Sequence, residues 1–72
     1  MALANYSTLS SAQKRVFEQI AKGKSTKEIA NILFLADGTV SLHRSNIRGK
    51  LGIPADLSLK EIAIYIMNTK MN

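Results

Sequence analysis

The sequence predicts an all-α fold, a bundle-like domain of four helices. Three Ser-x-x-Gln/Glu motifs, which cap helix N-termini, precede stretches in which apolar residues recur at helical spacing. The motifs begin at Ser10, Ser25 and Ser58, while Gly23 and Gly52 follow apolar stretches where a glycine commonly ends a helix. With 72 residues, the chain has room for one domain with a small core.

The first helix is predicted from about Ser11 to Lys22. Its apolar stripe consists of Ala12, Val16, Phe17, Ile20 and Ala21. Residues 1–8 show no strong periodicity and are expected to form a partly ordered lead-in, so the domain is expected to span residues 9–72. Lys22 and Lys24 flank the end of the helix, where they fit equally well as charges favoured by the helix dipole or as phosphate contacts.

The stretch from Ser25 to Leu51 predicts two further helices, separated only by residues 34–37. Because this turn is too short to let them separate, the helices are expected to cross and share one core. The apolar stripe of the second helix consists of Ile29, Ala30, Ile32 and Leu33. The predicted core consists of Leu9, Val16, Phe17, Ile20, Ile29, Leu33, Leu35, Val40, Ile47, Leu51, Ile62 and Ile66.

The third helix has two different faces. At about 100° per residue, its apolar residues cluster on one side, which is predicted to be buried. That side carries Val40, His43, Ile47 and Leu51, and a packed, hydrogen-bonded role is favoured for the histidine. The far side carries Ser41, Leu42, Ser45 and Arg48. Serines can bond base edges or phosphates and a leucine can cover a thymine methyl, but a solvated face with one stray leucine remains the alternative.

The charge distribution favours a polyanionic partner. Ten Lys and Arg against five Asp and Glu give a net charge of +5 and a pI near 9.9. Eight of the ten basic residues lie between Lys14 and Lys50. Such a field attracts nucleic acids or membranes, and because the apolar residues have a core to fill, a membrane-surface helix is the weaker option.

The fourth helix is predicted from about residue 58 to residue 68, after a connector whose Pro54 cannot continue the third helix. Its inward stripe consists of Leu59, Ile62, Ala63 and Ile66. Ile64, Met67 and Tyr65 point elsewhere. For so small a chain this apolar remainder suggests a partner surface, although simple exposure is the alternative.

Four groups of residues occur in a recognisable order and spacing: Ser25-Thr26-Lys27-Glu28-Ile29-Ala30, Thr39-Val40 followed by His43, Ile47, and Lys50-Leu51-Gly52-Ile53. Together they resemble the LuxR/GerE family of helix-turn-helix domains of bacterial transcription regulators. The resemblance covers residues 9–53 in order and spacing. It implies four helices, of which the third lies in the DNA major groove and the fourth commonly mediates dimerisation.

The resemblance also implies which residues contact DNA. The base-contacting positions fall on Ser41, Leu42 and Ser45, the face that the helical periodicity also indicates. The phosphate-contacting positions fall near Thr26, Lys27 and Thr39, and the same group is extended to Ser25, Lys24 and Lys50, although the periodicity turns Lys50 away from the groove face. Because serines cannot bind guanine through two hydrogen bonds, Arg44 or Arg48 would have to supply any guanine contact.

The sequence departs from the family pattern at several positions. Gln13 stands where an acidic residue is usual, and Leu57 falls near a position where arginine is frequent. Both changes put in doubt the usual polar ties between helices. Ala36 replaces the serine or threonine that usually caps the third helix, a role for which Asp37 is the substitute.

These observations favour a sequence-specific, double-stranded DNA-binding transcription regulator that acts as a homodimer in the bacterial cytoplasm. RNA polymerase or another regulator is a further possible partner, and the chain is either a complete small regulator or the output part of a longer one. The alternative is a protein-interaction module of the same fold that modulates another regulator. With one inward histidine and no cysteine, neither an enzyme, a metal site nor a cofactor is expected.

Overall fold

The computed structural model describes residues 6–54 and 56–70, with side chains up to residue 68. The described part contains four helices and no strand, which confirms the all-α prediction. They are α1 (Ser11–Ala21), α2 (Thr26–Leu33), α3 (Asp37–Leu51) and α4 (Leu59–Lys70). None of these helices is long and apolar enough to cross a membrane. Residues 1–5 of the predicted lead-in lie outside the described residues.

Side-chain caps fix where α1 and α2 begin. The Ser10 Oγ accepts from the Gln13 N–H (3.1 Å) while the Ser10 N–H donates to Gln13 Oε1 (2.9 Å), so the predicted capping box is present. Ser25 and Glu28 form the same pair of bonds at 3.1 and 2.8 Å. Before α4, the Ser58 Oγ accepts from the backbone N–H three residues later at 3.3 Å.

The start of α3 differs from the prediction. Ala36 is the N-cap and no side chain caps the helix, so the expectation that Asp37 takes over this role was wrong. The reason is positional, because Asp37 is already the first helical residue and lies in the first turn. There a carboxylate stabilises the helix through the positive end of its dipole instead.

The helices end in left-handed backbone at three positions. Gly23 (φ +84°) follows α1 and Gly52 (φ +66°) caps α3, as the sequence predicts. At the end of α2 the same conformation is taken by Phe34 (φ +58°), whose side chain is 93% exposed. A non-glycine residue is rare in this region, since its Cβ crowds the backbone.

The core lies where α1 packs against α4 and α3, and where α3 packs against α2. Nine of the twelve residues predicted for the core are buried, while Leu33, Leu35 and Ile62 are partly buried against it. Tyr6 joins the core from the predicted lead-in, with its ring centroid 5.4 Å from that of Phe17. Packed residues therefore begin before Leu9.

Two residues assigned to apolar stripes are exposed. Ile32 is 43% exposed because it lies at the edge of the α2 stripe, whose centre is formed by Ile29 and Leu33. Ala12 is exposed because Gln13 takes the inward position at the start of α1.

Candidate nucleic-acid interface

Helix α3 separates core residues from exposed ones along its length. Val40, Ile47 and Leu51 are buried on one side. The exposed residues on the other side are Ser41, Leu42 and Ser45, and Leu42 is 59% exposed. The structure therefore brings together the three residues predicted to contact bases, on a face that the core does not use.

Two glycines extend the same face, and the sequence-based prediction missed them. Gly38 and Gly49 are exposed, and a Cβ built at either position meets no neighbouring atom within 4 Å. Their spacing from Leu42 and Ser45, by four residues in each case, places all four along one line of the helix. Only Leu42 projects far from the backbone there, so the face is nearly smooth. Helical spacing alone could have indicated this feature.

The residues predicted to bind phosphate differ in what else they contact. Lys24, Lys27 and Thr39 are exposed, and Thr26 is half-buried at the N-terminus of α2. The backbone N–H of Ser25 donates to the Glu28 carboxylate. The Ser25 backbone N–H is therefore already bonded within the helix cap, and phosphate contact by Ser25 stays a prediction.

The Glu28 carboxylate supplies negative charge at the same helix end. Its pKa is lowered by the hydrogen bond from the Ser25 backbone, then by the Ser25 hydroxyl, with a smaller contribution from Lys24. The ionised form of Glu28 is thus favoured, and its negative charge partly neutralises the positive end of the α2 dipole.

The two arginines proposed for guanine contact differ in their surroundings. One Arg48 guanidinium nitrogen, Nη1, donates to the Pro54 carbonyl (2.8 Å) and to the Leu57 carbonyl (2.9 Å). Arg48 is therefore bound to the connector before α4, and in this arrangement its prediction as a base contact is not supported. Arg44 is partly buried, and its pKa is lowered by burial and then by the charge of Arg48.

Lys50 and His43 also have partners or positions that the sequence did not show. The Lys50 ammonium donates to the Thr8 carbonyl and to Gln13 Oε1, both at 3.1 Å. These internal bonds hold Lys50 to the start of α1, which argues against its prediction as a phosphate contact. They also connect α3 to α1 through Gln13.

His43 is half-buried, and its buried Nδ1 has no hydrogen-bond partner among the described residues, contrary to expectation.

The apolar residues of α4 that were predicted to point away from its inward stripe lie beside a cleft. Ile64 and Tyr65 are 37% and 65% exposed, whereas Met67 packs partly against the core. The cleft lies between α1 and α4 and has a volume of about 330 Å³. Its lining consists of Glu18, Ala21, Lys22, Ile64, Met67 and Asn68. No group of side chains in the described part of the chain has the composition of a metal site.

Two short-linked helices with an exposed face on the second define a helix-turn-helix domain, a class that binds DNA. The chain matches the model of the bacterial regulatory proteins of the luxR family over residues 7–66, and it belongs to this family. The domain is accordingly of the DNA-binding type found in bacterial transcription regulators.

Curated relatives of the chain are regulators of greater length. The chain is 42% identical over 55 residues to the Fimbriae Z protein of Escherichia coli (strain K12), covering 76% of this chain and 26% of that protein. It is 37% identical over 59 residues to the transcriptional regulatory protein UhpA of the same organism, covering 82% and 30%. It is 44% identical over 45 residues to the spore germination protein GerE of Bacillus subtilis (strain 168), covering 62% and 61%.

The chain therefore spans between about a quarter and two thirds of the length of these relatives. No solved structure matches it.

Proposed function

We propose that α3 enters the DNA major groove and reads sequence with Ser41, Leu42 and Ser45. The observation that carries this proposal is the division of α3 into a buried apolar side and an exposed side bearing these three residues. A major groove of about 12 Å width admits one helix, and the exposed side is the part of α3 free to face it.

Each residue on this face has a distinct role. Leu42 contacts a thymine methyl, since it is the one large apolar group there. Ser41 and Ser45 are short, so they bond base edges either directly or through water. Arg44 is the remaining candidate for a guanine contact, because Arg48 is bound to the connector.

Phosphate contacts come from the start of α2 and its surroundings. Lys27 and Thr26 lie in the first turn of α2, Lys24 precedes it, and Thr39 lies in the first turn of α3. Exposed lysines attract the DNA backbone without reading sequence. The net charge of +5 supports the same role.

The proposed assembly is a homodimer formed through α4 in the bacterial cytoplasm, with RNA polymerase or another regulator as a further partner. Ile64 and Tyr65 are exposed, and Met67 lines the cleft between α4 and α1. A symmetric pair buries this surface and presents two copies of α3 to half-sites about one helical turn apart.

The same exposed α4 surface supports a second candidate, an interaction module that binds and modulates another regulator. A stable complex with another regulator, together with an absence of DNA binding, would favour the module over the DNA reader. A large fall in duplex affinity between low and moderate salt would favour the DNA reader.

The roles are tested by titrating two variants against a selected duplex and a scrambled one at two salt concentrations. Lys27→Ala is expected to weaken both duplexes alike and to reduce the salt slope by about one unit, because one fewer counterion is released. Leu42→Ala is expected to weaken the selected duplex alone, by roughly 1 kcal/mol, through one base position. Equal weakening of both duplexes by Leu42→Ala would contradict the assignment.

A further inference from the structure

Arg48 binds the connector between α3 and α4 through both its backbone and its side chain. Its carbonyl accepts from the Ile53 N–H at 3.0 Å, and its guanidinium donates to the Pro54 and Leu57 carbonyls at 2.8 and 2.9 Å. The Pro54 carbonyl also accepts from the Leu57 N–H at 3.1 Å, which closes the connector into a turn. Arg48 of α3 therefore contacts both ends of the connector that leads to α4.

The chemistry of the arginine suits this arrangement. A guanidinium stays charged at all physiological pH values and presents its donors in a rigid plane, so it can hold two carbonyls in a fixed relation. Pro54 adds a backbone angle fixed by its ring. The direction in which the chain leaves α3 and enters α4 is thus restrained by this short, bonded unit in addition to the packing of both helices against α1.

We propose that Arg48 is a positioning residue that fixes the angle between α3 and α4 and so sets the half-site spacing accepted by the DNA-bound dimer. This inference rests on the proposed dimerisation through α4. In such a dimer α4 is held by its partner, and each α3 is placed on DNA by its relation to α4.

Small changes of this angle have consequences on the scale of one base pair. A helix of 15 residues is about 22 Å long, so turning it by about 10° about one end moves the other end by roughly 4 Å. Successive base pairs are about 3.4 Å apart. A loosened connector would therefore let the two copies of α3 fit half-sites whose separation differs by one base pair.

Arg44 provides a matched control. It lies one turn before Arg48 on the same helix, so the two cations are neighbours. No hydrogen bond joins Arg44 to the connector among the described residues. Replacing either arginine with glutamine removes one positive charge, but only the change at Arg48 removes the two bonds to carbonyls.

The experiment compares the wild type with Arg48→Gln, Arg48→Lys and Arg44→Gln. The probes are duplexes selected by the wild type from a random pool, a single half-site, and paired half-sites whose spacer is changed by one base pair in either direction. Stoichiometry on each paired duplex is measured by sedimentation, and helix content is checked by circular dichroism. Arg48→Lys keeps the charge, but its side chain is shorter and its ammonium rotates freely, so it does not hold the two carbonyls in the fixed relation that the planar guanidinium imposes.

We expect Arg48→Gln and Arg48→Lys to bind the single half-site within about twofold of the wild type, while the preference for the selected spacer falls from about tenfold to about twofold. Arg44→Gln is expected to keep the spacer preference. If an Arg48 variant binds two copies per duplex with the wild-type spacer preference, the positioning role is overturned and the dimer stands. If the wild type binds paired half-sites as a single copy, both the positioning role of Arg48 and the proposed dimer are overturned. A loss on the single half-site well beyond twofold from Arg48→Gln, relative to the wild type, would make Arg48 a DNA contact and overturn the positioning role; Arg44→Gln, a proposed base contact, is compared for spacer preference only.

Discussion

Gln13 is a buried polar residue in a core that is otherwise apolar over the described residues. Its side-chain oxygen accepts from the Ser10 backbone and from the Lys50 ammonium, so one amide both caps α1 and ties it to α3. The Lys50 ammonium donates a second hydrogen bond to the Thr8 carbonyl. Within residues 6–54 and 56–68, the ammonium of Lys50 is thus hydrogen-bonded by neutral oxygens and by no carboxylate.

Replacing Gln13 with glutamate is therefore expected to stabilise the domain. Gln13→Glu keeps the shape and the capping bond, and it turns the contact with Lys50 into a charge-assisted one, for a gain of about 1 kcal/mol in the free energy of unfolding at pH 7. Chemical denaturation of Gln13→Glu, Lys50→Met and the double variant measures the coupling. An equal gain in the Lys50→Met background would show that the ion pair is not its source.

The Ser25–Glu28 cap predicts how acid affects stability. The pKa of Glu28 lies below its usual value of 4.5 in the folded chain, chiefly because of the Ser25 backbone hydrogen bond. Its contribution is therefore complete above about pH 4.5, the unfolded value, and is lost as the pH falls through the lower folded value. Denaturation of Glu28→Gln across this range is expected to show a weaker loss of stability with acid than the wild type. Parallel curves would mean that the ionised carboxylate of Glu28 adds nothing to stability beyond what a neutral glutamine cap provides.

At the scale of the element, the two glycines near the end of α3 have opposite requirements. Gly49 is a helical residue with open space around it, whereas Gly52 has a φ of +66° at the C-cap. Gly49→Ala is expected to stabilise the domain by about 0.5–1 kcal/mol, since alanine loses less entropy in a helix. Gly52→Ala is expected to destabilise it by at least about 1 kcal/mol, since the Cβ strains the left-handed backbone. Thermal unfolding measures the melting temperature of both variants, and shifts of the same sign would contradict these expectations.

The helices were predictable from the sequence because caps, spacing and glycines are local signals. Ser10 and Ser25 mark helix starts at the observed positions. The end of α2 at Leu33 agrees with the predicted break, but the left-handed conformation of Phe34 was not predicted, because that conformation is usually associated with glycine. Local signals also say which side of its own helix a residue occupies, so the exposed face of α3 was identified correctly.

The partners of long polar side chains could not be predicted in the same way. Arg48 was assigned to DNA because it lies on the outer side of α3 and could supply a guanine contact, and Lys50 because it matches the family motif. Their partners come from the connector and from the segment before α1, whose positions depend on how the helices pack. A side chain of this length reaches several possible acceptors, and only the tertiary structure selects among them.

At the scale of the whole molecule, the exposed surface of α4 predicts self-association. Ile64→Glu places a charge where the proposed interface is apolar, so it is expected to abolish dimerisation and cooperative binding to paired half-sites. Leu57→Glu is the matched control, because Leu57 is also an exposed apolar residue but lies in the connector. Sedimentation and duplex titration measure both properties. Intact dimers of the Ile64 variant would place the interface elsewhere.

The smooth outer face of α3 has a consequence for how such a regulator diverges. Ser41, Leu42 and Ser45 are exposed, and the side chains that stabilise α3 lie on its opposite side. Exposed substitutions away from caps and core usually change stability by less than about 0.5 kcal/mol. Gene duplicates of this domain could therefore acquire new operator preferences through single changes at these positions, with little prior need for compensating mutations in the core.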